Sequence, residues 1–117
     1  MEGIPEILHK AYAAFNRREV DVVLSCMQPD VSWPNVADGV QLHGHDEVRE
    51  YWRQQWEQVD PHVEPTRIQA EDESGKTVVQ VHQVVRDRAG HFLVDQMVQH
   101  VYVFRDGLIA SMEIRAM

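Results

Sequence analysis

The second half of the sequence restricts the fold most, because it consists of strand-forming runs separated by short turns. After about residue 62, "KTVVQVHQVVRD" is followed by the turn "RDRAG", the long run "HFLVDQMVQHVYVF", the turn "RDG" and the run "LIASMEI". Runs rich in β-branched residues and bounded by turn residues are typical of antiparallel hairpins. We therefore predict an antiparallel meander in this half.

The first half shows helical periodicity instead. Residues 4–18 repeat apolar side chains at three- and four-residue spacing, and residues 20–28 form a shorter apolar stretch that Pro29 is expected to end. "HGHDEVREYWRQQWEQVDP" predicts a third helix closed by Pro61, whereas "DVSW" predicts a short strand and "ADG" a turn. Helices followed by a meander predict an α+β fold, with the helices packed on one face of a curved sheet.

Length and charge narrow the class of protein. The 117 residues, of which 44% are hydrophobic, fit a single domain spanning 1–117. A net charge of -8 repels phosphate backbones and anionic membranes, so we expect no nucleic-acid or membrane partner. Cys26, the single cysteine, allows no internal disulfide, and the chain shows neither a signal-peptide pattern nor a membrane-spanning run. We expect a soluble, cytoplasmic domain in which Cys26 is a buried, inert thiol.

The long strand is unusual because neither of its faces is cleanly polar. One face would carry Leu93, Asp95, Met97, Gln99 and Val101, and the other Val94, Gln96, Val98, His100 and Tyr102. Helices covering one face and a second subunit covering the other would explain this pattern, which predicts a homodimer through the sheet. Whether Gln99 or His100 points inward depends on the register that the "RDG" turn imposes, and the sequence leaves this open.

Three segments in order carry a resemblance to a known family: "AYAAFNRREVDVVLSCMQPDVSWPN", "GHDEVREYW" and "HVYVFRDGLIASMEI". Together they resemble the nuclear transport factor 2-like superfamily, in its SnoaL-like and ketosteroid-isomerase-like branch. The resemblance implies a cone in which a curved antiparallel sheet wraps about three N-terminal helices and encloses an apolar pocket, commonly in homodimers through the sheet. Members include ketosteroid isomerases, polyketide cyclases, dehydratases, epoxide hydrolases and pockets without known chemistry, so the fold alone does not give the function.

The resemblance also implies positions for a catalytic set. Matched by segment, the tyrosine of ketosteroid isomerases falls on Tyr12, the base on Asn35, the second acid on Gln99, and a tyrosine of the hydrogen-bond network on Trp52. Asparagine and glutamine orient a carbonyl group, but they do not accept and return a proton near neutral pH. The alternative for Tyr12 is a core residue, and the alternative for Asn35 is a turn residue after Pro34.

Other groups are candidates for proton transfer. His82 and His100 lie on neighbouring predicted strands, and histidine exchanges protons near neutral pH, although a lone strand histidine is more often structural. Asp38 in "DG" is typical of a turn, yet it is the carboxylate nearest to the vacated base position. Asp95 is either an inward acid or a charge on the surface or interface.

Aromatic side chains are the candidates for the walls of a pocket that takes a flat or polycyclic apolar ligand. The predicted ligand-binding set comprises Trp33, Asp38, Tyr51, Trp52, Trp56, Asp95 and Met112. The cluster around His43, His45, Asp46 and Glu47 has no recognisable ligand spacing, so we expect no metal, and nothing in the sequence calls for a cofactor.

Two functions therefore remain open. The first is an enzyme without a cofactor, namely an isomerase, cyclase or dehydratase that moves a proton on a small apolar carbonyl compound. The second is a binding module with the same pocket and no turnover. A titratable group that shares one pocket with Tyr12 favours the enzyme, whereas a pocket of amides and apolar groups alone favours the binding module.

Overall fold

The computed structural model describes residues 3–36, 38–69 and 75–117. In this part of the chain, three helices and six strands follow one another in the order α1 Ile4–Asn16, α2 Val20–Ser25, β1 Met27–Asn35, β2 Val40–His43, α3 Gly44–Gln58, β3 Val59–Gln69, β4 Thr77–Asp87, β5 Phe92–Arg105 and β6 Leu108–Ala116. No helix in these ranges is long and apolar enough to cross a bilayer.

All six strands form one curved, unclosed sheet in the order β2-β1-β6-β5-β4-β3. Neighbouring strands are antiparallel except β1 and β6, which run parallel with Ser32 opposite Ser111. Register shifts interrupt the β3–β4, β4–β5 and β5–β6 ladders. Such irregularities bend a strand and increase its twist, so they help the sheet curve around the helices. The predicted α+β class with a curved sheet around three helices is confirmed.

The order of elements differs from the prediction in two respects. The strand predicted at "DVSW" lies within the longer β1, but a second strand, β2, follows it before α3, and the parallel β1–β6 pair breaks the simple meander. The prolines expected to end helices lie inside strands instead: Pro29 in β1 and Pro61 in β3. Because β3 is an edge strand, the missing N–H of Pro61 is tolerated there, and α3 has already ended at Gln58.

The helices cover the concave face of the sheet and bury the core against it. The apolar face of α1 buries five residues and α3 buries Val48 and Trp52. Their partners across the core include Val79 and Val81 of β4, which are both fully buried. On β5 the buried residues of the inner face are Val98, His100 and Tyr102, while Met97 on the outer face stays 38% exposed. The register therefore turns His100 inward and Gln99 outward.

Candidate functional site

A cavity of about 390 Å³ lies between α1, α3 and the concave face of the sheet. Most of its wall is apolar, since the lining residues are Ala11, Tyr12, Phe15, Val23, Met27, Trp33, Pro34, Val36, Tyr51, Trp52, Gln55, Pro61, Val63, Gln83, His100, Tyr102, Ile109, Met112 and Ile114. A concave apolar space with a few polar groups is the usual form of a small-molecule site.

Three polar side chains in the wall form one hydrogen-bonded chain. The Tyr12 hydroxyl lies 2.8 Å from His100 Nδ1 and 2.7 Å from the Tyr102 hydroxyl. The Tyr12 and His100 rings also stack, with centroids 5.8 Å apart and an angle of 20° between their planes. The polar groups of the deep wall are therefore held in one fixed arrangement.

Local sequence pattern explains how these groups meet. Tyr12 follows Leu8 by one helical turn, so it lies on the buried face of α1. His100 and Tyr102 are two residues apart on β5, and alternate strand residues share a face. One helix face and one strand face thus bring all three rings to the same wall.

Burial sets the charge state of these three hydrogen-bonded side chains. Desolvation lowers the pKa of His100 from 6.5 to about 4, because the charged imidazolium is disfavoured away from water. Burial likewise raises the pKa of Tyr12 well above its ordinary value, with the neighbouring Tyr102 adding to the shift, and raises the pKa of Tyr102. All three groups are consequently neutral at physiological pH.

Aromatic rings build the wall on the helix side. Trp52 meets Trp33 edge-on at a centroid distance of 5.6 Å and Phe15 at 5.4 Å. Trp56 stacks against Trp52 at 5.9 Å but is not among the residues that line the cavity. Its Nε1 is buried and lacks a hydrogen-bond partner among the described residues. Trp56 therefore supports the wall from behind.

The cavity opens to solvent at a rim of more exposed residues. Of its lining residues, Val36 is 63% exposed and Ile114 is 38% exposed. Tyr51 also lines the cavity, and its pKa is raised by burial and by the negative charge of Asp38. Asp38 is itself exposed and outside the lining, so it influences the rim only through its charge.

The remaining predicted site residues lie away from the cavity. Asn35 Nδ2 donates to Asp38 Oδ2 at 3.1 Å and the Asp38 N–H donates to Asn35 Oδ1 at 3.2 Å, so the two side chains stabilise the turn locally. His82 Nε2 pairs with Asp95 Oδ1 at 2.6 Å on the outer face of the sheet, the face that also carries Gln99. Trp33, Tyr51, Trp52 and Met112 do line the cavity with Tyr12 and His100.

The histidine-rich segment around α3 has structural contacts. The backbone N–H of His43 donates to Glu47 Oε1 at 2.9 Å, so this carboxylate caps the start of the helix. His45 Nε2 lies 3.1 Å from the Met27 carbonyl oxygen. Across the described residues, no three His, Cys, Asp or Glu side chains come together as metal ligands. The Cys26 thiol is buried, and its Sγ donates to the Val22 carbonyl oxygen at 3.5 Å.

The sequence did not single out Tyr102, Gln55 and Gln83 as site residues. Tyr102 had a usable signal, because it must share the face of His100 two residues earlier on the same strand. The two glutamines had none, since an isolated polar residue on a helix or strand is usually solvated. Gln83 Oε1 accepts a hydrogen bond from Gln96 Nε2 at 2.9 Å, which orients its side-chain amide.

Comparison with known proteins agrees with this geometry. A family model described as the SnoaL-like domain matches residues 8–112. A structure of an NTF2-like protein of unknown function from Burkholderia pseudomallei is 25% identical with a TM-score of 0.84, covering 100% of this chain and 92% of that one. No protein with a curated description matches the sequence.

Two further structures share the fold at lower identity. A putative polyketide cyclase from Sinorhizobium meliloti is 18% identical with a TM-score of 0.80, covering 96% of this chain and 95% of that one. A Mycobacterium tuberculosis protein in complex with estradiol-17β-hemisuccinate is 14% identical with a TM-score of 0.78, covering 92% and 88%. At these identities the likeness shows the common fold alone.

Proposed function

The chain belongs to the SnoaL-like domain family, and from that premise we propose that it binds an apolar carbonyl compound in the cavity and moves a proton on it without a cofactor. The reaction classes are those of an isomerase, a cyclase or a dehydratase. One observation carries the proposal: Tyr12 and His100 are hydrogen-bonded at 2.8 Å on the wall of one apolar cavity. A neutral imidazole and a tyrosine therefore face the same cavity.

The chemistry follows from a hydrogen bond to the substrate's carbonyl oxygen. When the adjacent C–H bond breaks, its electron pair forms the enolate double bond, negative charge moves to that oxygen, and the proton leaves to solvent or to a second substrate group. A donor fixed in an apolar site stabilises this charge, and removal of one such donor costs roughly 10²–10³ in rate in other enzymes. The enolate then takes a proton at another carbon in an isomerase, or attacks a second carbonyl carbon in a cyclase.

The walls support a flat, ring-containing ligand. Trp33, Trp52, Phe15 and Tyr102 provide aromatic surface on several sides of the cavity, and such surface packs well against fused rings. Two structural neighbours, a putative polyketide cyclase and a protein in complex with estradiol-17β-hemisuccinate, support this ligand class.

A second candidate function is binding without turnover. It is favoured by the absence of Asp and Glu among the described residues that line the cavity. With no carboxylate base in this wall, a hydrogen bond to the carbonyl oxygen holds the ketone without accelerating the loss of its α-proton. The protein would then carry or sequester its ligand rather than transform it.

An exchange experiment separates the two functions. We expect 2-tetralone to quench tryptophan fluorescence and to gain deuterium in D₂O faster than it does in buffer, as read by mass spectrometry. His100→Gln should remove most of the acceleration, whereas His82→Gln on the outer face serves as the matched control. Binding with exchange at the buffer rate would support the binding module. Absence of binding by ring ketones would count against both.

We also propose that the protein pairs with a second copy through the outer face of the sheet. Met97 and Val103 on β5 are 38% and 36% exposed there. The hydrogen-bonded His82 and Asp95 side chains and Gln99 lie on the same face, so this face is mixed rather than fully polar. A second sheet packed on this surface would cover its exposed apolar residues.

A further inference from the structure

The direction of the hydrogen bonds in the Tyr102–Tyr12–His100 chain follows from counting protons. A tyrosine hydroxyl has one proton to donate, and a neutral imidazole has one protonated and one unprotonated nitrogen. The Tyr12 hydroxyl is bonded to both of its neighbours, while the Tyr102 hydroxyl has Tyr12 as its one hydrogen-bond partner among the described residues. Three arrangements of the protons are consistent with these bonds.

In the first arrangement, Tyr102 donates to the Tyr12 oxygen and Tyr12 donates to His100 Nδ1. Every hydroxyl proton is then used, and His100 carries its own proton on Nε2. In the second arrangement, His100 Nδ1–H donates to Tyr12 and Tyr12 donates to Tyr102. The buried Tyr102 proton then has no described acceptor, and an unsatisfied buried donor is costly. In the third arrangement, His100 Nδ1–H and Tyr102 both donate to the Tyr12 oxygen, and the buried Tyr12 proton has no described acceptor. The first arrangement is therefore favoured, because it is the one that pairs both hydroxyl protons.

The other nitrogen of His100 is reached from the cavity. Among the described residues, Trp56 Nε1 is the one side-chain nitrogen or oxygen that lacks both solvent access and a hydrogen-bond partner. His100 Nε2 has no partner among those residues either, yet it is not sealed, and His100 lines the cavity. The Nε2 atom therefore has accessible surface on the cavity side, where a bound molecule meets it.

We propose that Tyr12 is a positioning residue that holds His100 in its Nε2–H tautomer, and that His100 Nε2–H is the donor that meets the oxygen of the ligand. Tyr12 does not serve as that donor, because its single proton is committed to His100 Nδ1. The ligand class, which rests on the proposed function, is narrowed to molecules that present an acceptor oxygen, such as a ketone. Alkylammonium groups, which donate hydrogen bonds but do not accept them, are not bound by His100 Nε2–H.

The tautomer is measurable without any ligand or variant. In protein labelled with ¹⁵N in its imidazole rings, long-range proton–nitrogen correlation distinguishes protonated from unprotonated nitrogens. The His100 signals are identified by their through-space contacts with the Tyr12 and Tyr102 rings. We expect Nε2 to be protonated and Nδ1 unprotonated at neutral pH. The opposite pattern overturns the proposal.

Variants then test the role of Tyr12. In Tyr12→Phe the His100 signals should change to a mixture of tautomers, because Nδ1 has lost its donor. Tyr51→Phe is the control, because Tyr51 lines the cavity but does not belong to the Tyr102–Tyr12–His100 hydrogen-bond chain. It should leave the tautomer of His100 unchanged. A pure Nε2–H pattern that persists in Tyr12→Phe removes the positioning role.

Ligand pairs test the donor. Addition of 2-tetralone to the parent protein should shift the His100 Nε2 resonance, whereas tetralin, which lacks the oxygen, should not. The affinity ratio of the ketone to the hydrocarbon should fall about fivefold in His100→Phe, as expected for one net hydrogen bond, and by about twofold or less in Tyr12→Phe.

An equal fall in both variants, with Nε2–H retained in Tyr12→Phe, would make Tyr12 the donor and overturn the proposal. Failure of 2-tetralone to bind defeats the proposed function, while the tautomer measurement still decides the positioning role.

Discussion

His100 differs from an ordinary histidine because burial has moved its titration out of the physiological range. Desolvation lowers its pKa from 6.5 to about 4, so the ring stays neutral throughout the range in which histidines usually switch charge. A neutral imidazole is a suitable donor to a carbonyl oxygen, since it polarises the bond without the desolvation cost of a buried charge. The group is therefore set up for constant polarity rather than for pH sensing.

This pKa shift makes the stability of the fold depend on pH in a specific window. The unfolded chain binds a proton at His100 below about pH 6.5, whereas the folded protein binds it only below about pH 4. The contribution of His100 is therefore fully present above pH 6.5 and is lost as the pH falls towards 4, by roughly 3 kcal/mol in total. Urea denaturation at several pH values should show this slope, and His100→Gln should lack this component. Parallel slopes in both proteins would contradict the burial of a neutral ring.

Asn35 has contacts that predict a conformational role. Its side-chain amide exchanges two hydrogen bonds with Asp38 in an exposed turn. Asn35→Ala should therefore cost about 1 kcal/mol of unfolding free energy and leave the affinity for 2-tetralone unchanged. Asp38→Ala should give a similar loss, since it removes one of the same two bonds. A large drop in ketone affinity at unchanged stability would instead place Asn35 in the binding site.

At the scale of elements, the β5–β6 hairpin determines which side chains reach the cavity. Arg105 pairs with Leu108, so the turn consists of Asp106 and Gly107, both with positive φ, at 54° and 79°. A register shift between Val103 and Phe104 lies just before the turn. The turn and the shift together place His100 on the inner face, and a one-residue slip would exchange it for Gln99.

Substitution in this turn should therefore affect stability more than its exposure suggests. Gly107→Ala should cost about 1 kcal/mol, because the left-handed backbone disfavours any side chain although the space around it is open. Asp106→Asn is the matched control and should be nearly neutral, since asparagine tolerates positive φ. Thermal unfolding of the two variants measures the difference. Equal melting temperatures for Gly107→Ala and the parent would show that the turn relaxes to another conformation.

The same hairpin shows why part of the site was predictable and part was not. The periodicity of α1 is local, so the sequence placed Tyr12 on a buried face correctly. The inward choice between Gln99 and His100 depends on a turn and a register shift acting together, and no pattern within β5 reveals it. For Asn35 the sequence left a turn role and a pocket role open, because an asparagine after a proline fits either, and the structure shows its side chain bonded to Asp38. The short β2 and the parallel β1–β6 pair were missed, since distant partners stabilise them.

At the scale of the whole molecule, the outer face of the sheet predicts self-association. Met97→Glu places a charge among exposed apolar residues of β5, so it should shift the proposed dimer to a folded monomer in sedimentation experiments. Val98→Glu should unfold the protein instead, because Val98 is 6% exposed and faces the core. Gln54→Glu on the exposed side of α3 is the control for added charge. A parent protein that sediments as a monomer at micromolar concentration would rule out the pairing.

The parallel pairing of β1 with β6 has a consequence for synthesis of the chain on the ribosome. β6 lies inside the sheet, between β1 and β5, although it is translated after all the other strands. Ser32 therefore has no strand neighbour on that side until Ser111 has left the exit tunnel, and before then the β1–β2 pair can pack only on α2 and α3. Late closure through non-local pairing is slow and leaves strand edges exposed. The nascent protein should consequently depend on chaperones until β6 has emerged.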